Sequence, residues 1–392
     1  MQLAIYAHPF DLDALRGNGG LARLRDLGFA EVAMATSYHD GRWLTPWHPS
    51  GRVRFLEDGT VHFRTSSDHG VLQPKPSSEV PASGPSPLER LCAEAAPLGV
   101  AVRAWNVFTH NSRLGALHPD QCVQNAFGDR YTYALCPSQP AVRQYATAMA
   151  GDLAAHHGLG TIELEALGQM GWKHSSHHDK ASFAPSGMLD AALSACFCDA
   201  CAGAMGAAGH DPARLRVLVR TFVDRHLAEG DAMAPANVAA GPGDAAVDAD
   251  AAAWLDAATA VRAGAIRGIA DSLRAQARVR LAVQVHPHPW FTGSQLAIAS
   301  AAAFAPSVER VVTCYGDGVD AISRTLAAMP MSFRTGASRV CIWPKAPQFR
   351  GDEDLVKLRD VLRASGTSAL AVYHLGLLPW RTIERVAKVF GA

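Results

Sequence analysis

Thr161-Ile162-Glu163-Leu164-Glu165-Ala166, near the middle of a 392-residue chain, alternates apolar and acidic side chains. In an extended strand this alternation sends Ile162 and Leu164 to one face and both glutamates to the other. Helices cover the apolar face and a barrel interior receives the acidic one, with Glu165 nearer the C-terminal mouth. A carboxylate inside a barrel is costly to bury unless it is paired or takes part in chemistry. Glu163 lies deeper and is expected to meet Arg103 from the neighbouring strand, Ala101-Val102-Arg103-Ala104-Trp105. Glu165 is the candidate catalytic group; the alternative is a hydrogen-bond acceptor for substrate with no part in proton transfer.

Working outward, short β-branched runs recur at residues 3–7, 31–36, 100–108, 161–166, 281–286, 310–315, 339–343 and 369–374. Amphipathic stretches lie between them at 12–27, 88–98, 141–157, 212–228, 251–277, 319–328, 352–363 and 381–389. Eight strands each followed by a helix close into a (β/α)₈ TIM barrel of the α/β class, with its site at the C-terminal strand ends. An open doubly wound sheet would need fewer strands and a Gly-rich first turn, whereas His8-Pro9-Phe10 follows the first strand here. The chain reads as one domain, residues 1–392, with long loops after the second and fourth strands. The first, residues 40–86, contains a β-hairpin predicted over 52–63 around Asp58-Gly59. The second, residues 167–203, is His-rich and ends in a cysteine array. Residues 233–252 are Ala/Gly/Asp/Pro-rich without apolar period and read as a flexible segment.

The 36 Lys and Arg balance 36 Asp and Glu, which leaves no basic footprint for nucleic acid. A small neutral molecule such as a sugar suits this balance better than a polyanion. No apolar run reaches membrane-spanning length, and Leu3-Ala4-Ile5-Tyr6 lacks the pattern of a signal peptide. A cytoplasmic protein with reduced thiols is expected, and a homo-oligomer is compatible with such a barrel.

Cys196-Phe197-Cys198-Asp199-Ala200-Cys201 brings three thiols close enough to converge on one tetrahedral ion, for which Zn²⁺ is the usual occupant. Cys136, in Leu135-Cys136-Pro137-Ser138, is the candidate fourth ligand. Small buried residues, or a Cys198/Cys201 redox pair, are the alternatives. Four thiolates leave no open position, so such a zinc is structural. It would tie together the two ends of the Glu165-bearing unit.

The other strand ends supply a polar and aromatic ring. His8 follows the first strand, and Trp105, Asn106 and His110 close the third. Trp172 and His178 stand in the loop after the fourth, and His286 and His288 follow the fifth. Tyr315 and Asp317 end the sixth, Trp343 and Lys345 the seventh, and His374 the eighth. Aromatic faces beside hydrogen-bonding groups are what sugar binding requires. His with Glu or Asp is also a metal-ligand set.

Residues 133–203 resemble the glycoside hydrolase family 42 β-galactosidases, in which a Cys-containing turn, a strand ending in the acid/base glutamate, and C-x-C-x-x-C follow in this order. The resemblance implies that Glu165 is the acid/base residue and that Cys136, Cys196, Cys198 and Cys201 hold zinc. The chain departs from the family in having Leu164 where Asn precedes the glutamate. It also has Cys341-Ile342-Trp343-Pro344-Lys345 where the nucleophilic glutamate ends strand seven.

Glycoside hydrolysis uses two carboxyl groups, so Asp317 becomes the expected nucleophile or water-activating base, with His286 assisting. The expected function is hydrolysis of a small neutral glycoside, with Trp105, Trp172, Tyr315 and Trp343 as stacking walls. A metal-dependent sugar isomerase or lyase, drawing ligands from Glu165, His178, His286, His288 and Asp317, is the second expectation. A non-catalytic sugar-binding barrel is the third.

Overall fold

The structure is a computed structural model that describes residues 1–174, 180–181, 187–229, 249–276 and 279–391. Eight strands form its centre: β1 (Gln2–Ala7), β2 (Phe29–Tyr38), β3 (Ala101–Val107), β4 (Thr161–Glu165), β5 (Arg280–His286), β6 (Glu309–Cys314), β7 (Ser338–Ile342) and β8 (Ala369–Val372). Each is paired in parallel with the next, and β8 pairs with β1, so the sheet closes on itself. The (β/α)₈ barrel expected from the strand count is the fold.

Alternation along the strands divides the buried residues into two cores. Ile162 and Leu164 join Leu3, Ile5, Val32, Val283, Val340 and Val372 in the layer between strands and helices. Burial of each such side chain stabilises the fold by about 1.5–3 kcal/mol. Ala4, Tyr6, Ala33, Trp105, Ala282, Val311, Cys341 and Ala371 face inward. Small inward side chains on four strands leave room for the large polar groups that the other strands direct into the barrel.

The helices begin where their sequences can satisfy free backbone N–H groups. Pro87–Ala95 starts with a reciprocal cap: Ser86 N–H donates to the Glu89 carboxylate at 2.6 Å, and Glu89 N–H donates to Ser86 Oγ at 3.4 Å. The predicted helix over residues 12–27 is instead two, Pro9–Arg16 and Gly20–Asp26, because Gly19 and Gly20 take φ of 88° and 61°. Among the described residues no α-helix follows β5. Pro287, Pro289 and Gly293 interrupt the chain there, and the short strand Leu296–Ala297 and the 3₁₀ turn Ser300–Ala303 take its place. The predicted 52–63 hairpin is also paired differently: Val53–Leu56 pairs with Gly41–Leu44, and Thr60–Val61 returns antiparallel to the end of β2. Gly59 makes that return possible with φ of 60°, and a Cβ there would lie 2.1 Å from Asn111 Oδ1.

Residues 249–252 of the expected flexible segment belong to the helix Ala249–Gln276, and 233–248 lie outside the described residues. Among the described residues no single helix is long and apolar enough to cross a membrane; one bent pair, Gly187–Ser194 with Asp199–Ala207, passes the same test by length and composition.

Candidate active site and metal centre

The barrel floor is an ion network. Arg103 Nε donates to Glu31 at 2.6 Å, Nη1 to Glu163 Oε2 at 3.0 Å, and Nη2 to Glu309. Arg339 adds a bond to Glu309 at 2.9 Å and an ion pair with Glu31 at 3.2 Å. Burial alone would lower the Arg103 pKa, but the carboxylates of Glu31, Glu309 and Glu163 outweigh it and raise that pKa well above the ordinary value. Glu163 therefore meets Arg103 as its register predicts. Its other oxygen accepts from Tyr6 Oη and from Gln284 Nε2, the latter at 2.8 Å.

One pleat higher, Glu165 has no cation among the described residues on its oxygens. Trp105 Nε1 donates to Glu165 Oε2, and Gln284 Nε2 lies 3.3 Å from the same oxygen. Glu165 is 7 % exposed. Burial pushes its pKa up to about 7; bonds from Trp105, Ser294 and Gln284 pull it down, and the charge of Glu163 pushes it up further. Its proton therefore exchanges near neutrality, which suits a general acid or base.

Aromatic rings surround this carboxyl group. Trp105 stands edge-on to Tyr6 at 4.9 Å, to Tyr38 at 5.0 Å and to Tyr373 at 5.9 Å. Tyr373 also meets Tyr315 at 4.3 Å and Trp343 at 5.6 Å, and its hydroxyl lies 3.1 Å from that of Tyr38. Lys345 Nζ sits 3.2 Å over the Trp343 ring. The structure thus brings together Glu165, Trp105, Tyr315, Trp343 and Lys345. His374 adjoins them, its ring 6.1 Å from Trp105, but its Nδ1 lies 3.5 Å from Asp11, which also binds His48 Nε2 at 2.7 Å.

The remaining candidates form separate groups. Asn106 is buried in the wall and accepts from Thr36 Oγ1 at 3.1 Å. His110 stacks on His39 at 4.3 Å and meets His174 at 5.0 Å; burial pushes its pKa down to about 2. His286 stacks on Phe291 at 3.9 Å and accepts from the His288 N–H at 3.1 Å, and burial pushes its pKa down to about 4. Trp172 is held near the His110 group, its backbone carbonyl accepting from Tyr133 Oη at 3.3 Å. His8 lies against Phe10 and His62. His178 lies outside the described residues.

Among the described residues no hydrogen bond or ion pair joins Asp317 to Glu165. Burial raises the Asp317 pKa and Arg324 lowers it, and Asp317 in turn raises the pKa of Cys314. Cys314 belongs to the layer outside the strands, and Arg324 lies on the helix Val319–Ala327.

Tyr6, Tyr38 and Gln284 escaped the sequence reading. Tyr6 and Gln284 were legible by alternation from Ala4 and Ala282; Tyr38 was missed because β2 runs two residues beyond its predicted end at 36.

Cys136, Cys196, Cys198 and Cys201 are buried, and their sulfurs lie within 4.8 Å of one another. Cys136 Sγ is 3.5 Å from Cys201, 3.8 Å from Cys196 and 3.7 Å from Cys198. Four sulfurs at about 2.3 Å from one tetrahedral ion stand roughly 3.8 Å apart, so the cluster fits a metal ion. The turn after strand Arg130–Leu135 presents Cys136, while the start of helix Asp199–Ala207 presents the others. Gln169 Nε2 donates to Cys201 Sγ at 3.2 Å and the Gln124 N–H to Cys196 Sγ at 3.4 Å, a second shell suited to thiolates. Among the described residues this is the one group of His, Cys, Asp or Glu with such spacing; Glu165, His286, His288 and Asp317 do not form another.

No family model matches the chain, and no curated protein matches it in sequence. Solved structures match its fold. The catalytic domain of β-amylase from Paenibacillus polymyxa aligns with a TM-score of 0.51 at 10% identity, covering 99% of this chain and 97% of that one. The PgaB (BpsB) glycoside hydrolase domain from Bordetella bronchiseptica gives 0.54 at 12% identity, covering 99% and 98%. These likenesses show that the chain carries a TIM barrel fold. A β-galactosidase from Bacillus circulans sp. alkalophilus gives 0.54 at 10% identity; 99% of this chain spans 55% of that protein's length.

Proposed function

We propose that this barrel is a glycoside hydrolase acting on a small neutral glycoside, with Glu165 as its general acid. The observation that carries the reading is a single buried carboxyl group at the end of β4, with a pKa of about 7 and a ring of aromatic side chains around it. Trp105 and Gln284 both approach Oε2, and Ser294 also bonds the carboxyl group. Donation of the Glu165 proton to the glycosidic oxygen would accompany departure of the leaving alcohol, while water adds to the anomeric carbon and yields a proton to the Glu165 carboxylate; Trp105, Tyr315 and Trp343 would stack against sugar rings. The order of the cysteine turn, the glutamate-bearing strand and C-x-C-x-x-C supports a relation to the family 42 β-galactosidases.

Glu165→Gln should lower turnover on a glycoside substrate about 10²–10⁴-fold. Asp317→Asn should change it less than about threefold, since no hydrogen bond or ion pair joins Asp317 to Glu165 among the described residues. Full activity in Glu165→Gln would overturn the assignment.

A second reading, sugar binding without turnover, is favoured by one observation: among the described residues the carboxylate nearest to Glu165 in its network is Glu163, which Arg103 already engages. Calorimetric binding without hydrolysis across a glycoside panel would select it.

The four cysteines are proposed to hold Zn²⁺, whose role is to join the Cys136 turn to the loop leaving β4. Elemental analysis should find one zinc per chain, lost in Cys198→Ser. A metal-free wild type, or full retention of zinc in that variant, would contradict this.

A further inference from the structure

Between the start of the first helix and the long loop after β2 lies a cavity of about 130 Å³. One water needs roughly 10–15 Å³, so several molecules or one sugar ring fit within it. It is lined by His8, Arg54, His62 and Glu79, with Phe10 forming part of one wall. Its lining omits Glu165 and Trp105, so it is separate from the aromatic ring, although His8 lies 5.8 Å from Trp43, which in turn meets His374 at 4.7 Å.

Four buried polar atoms on these lining residues have no hydrogen-bond partner among the described residues: His8 Nδ1, Arg54 Nε, His62 Nε2 and Glu79 Oε2. His8 is 4 % and His62 3 % exposed. An unsatisfied buried polar group is destabilising, so four on one cavity call for a polar occupant. Two of these side chains are held in place by neighbours. His62 Nδ1 lies 2.7 Å from Ser77 Oγ, and the Arg54 guanidinium sits 5.0 Å over the Phe10 ring.

The charges select the occupant. An anion would face Glu79 and Glu57, with Asp11 and Asp13 behind them. A metal ion would face Arg54, and these ligand atoms are not grouped closely enough to share one. An apolar ligand would leave all four atoms unsatisfied. Burial holds His8 well below its ordinary pKa and pushes His62 down to about 4, so both rings are neutral and each offers one donor and one acceptor. Burial, reinforced by nearby carboxylates, pushes Glu79 up to about 7, while Arg54 opposes the shift. Hydroxyl groups, which both donate and accept, complement such a mixed lining.

We propose that this cavity is a second carbohydrate subsite, taking one neutral sugar ring whose hydroxyls bind His8, Arg54, His62 and Glu79. It rests on the carbohydrate reading of the barrel but not on catalysis by Glu165. D-galactose, D-glucose and N-acetyl-D-glucosamine are titrated into the full-length Glu165→Gln protein while the imidazole resonances of His8 and His62 are followed by NMR. At least one sugar should shift both rings, and its affinity should fall about tenfold or more in Arg54→Ala and in Glu79→Gln backgrounds. Shifts in neither ring with any of the three sugars, meaning that water alone fills the cavity, would overturn the subsite. So would an affinity unchanged by both substitutions. Because the titrated protein already lacks Glu165, an inert subsite leaves the general-acid assignment intact, and an inert Glu165 leaves the subsite intact.

Discussion

Glu163 and Glu165 stand two residues apart on one strand and face the same interior, yet their surroundings differ completely. Glu163 has Arg103, Tyr6 and Gln284 on its oxygens, and the barrel floor closes around it as a satisfied network. Glu165 has an indole, an amide and the Ser294 side chain as partners, no cation among the described residues, and the charge of Glu163 beneath it. The lower carboxylate is compensated and reads as structure. The upper one is left poised to exchange a proton, which is the condition of a functional group. The same pleat that places both inside the barrel thus makes one the electrostatic base on which the other is tuned.

Breaking the compensated side should have the largest effect. Arg103→Met leaves Glu31, Glu163 and Glu309 facing one another around Arg339, and the fold should lose about 3–5 kcal/mol in chemical denaturation. A loss below about 1 kcal/mol would mean that the floor is not the closed network described.

The uncompensated side should respond in the opposite sense. A carboxyl group whose pKa rises from 4.5 to about 7 on folding contributes stability below pH 4.5 and loses it as pH rises through 7. At pH 8 that displacement corresponds to about 3 kcal/mol, as an order of magnitude. Glu165→Gln should therefore be more stable than the wild type at pH 8 and about equal to it at pH 4. A variant destabilised at both pH values would show that Glu165 is a structural residue like Glu163.

The barrel was legible because strands of a parallel barrel repeat a local signal, and Glu163 with Arg103 followed from alternation alone. The cysteine cluster was legible for a related reason: three of its members sit within six residues, so sequence spacing is nearly spatial spacing. The ring around Glu165 was only half legible. Trp105, Tyr315 and Trp343 stand at strand ends, whereas Tyr38 reaches the ring because β2 outruns its apolar pattern. Asp317 shows the limit. A position just past a strand end does not say which groups its side chain will meet, and here the charge that acts on Asp317 is that of Arg324 on the following helix. The His8 and His62 cavity was illegible because the loop that closes it pairs with β2 through a return at Gly59 that composition does not specify.

The central claim is that Glu165 exchanges its proton near neutrality because it is buried, with the charge of Glu163 beneath it adding to the shift. The direct measurement is a pH titration of the Glu165 δ-carbon resonance in carboxyl-labelled protein, assigned by its absence from Glu165→Gln, in the wild type and in Glu163→Gln. The account predicts a midpoint of about 7 in the wild type, falling by roughly one pH unit when the Glu163 charge is removed. A wild-type midpoint near 4.5, or one that Glu163→Gln leaves in place, would contradict it.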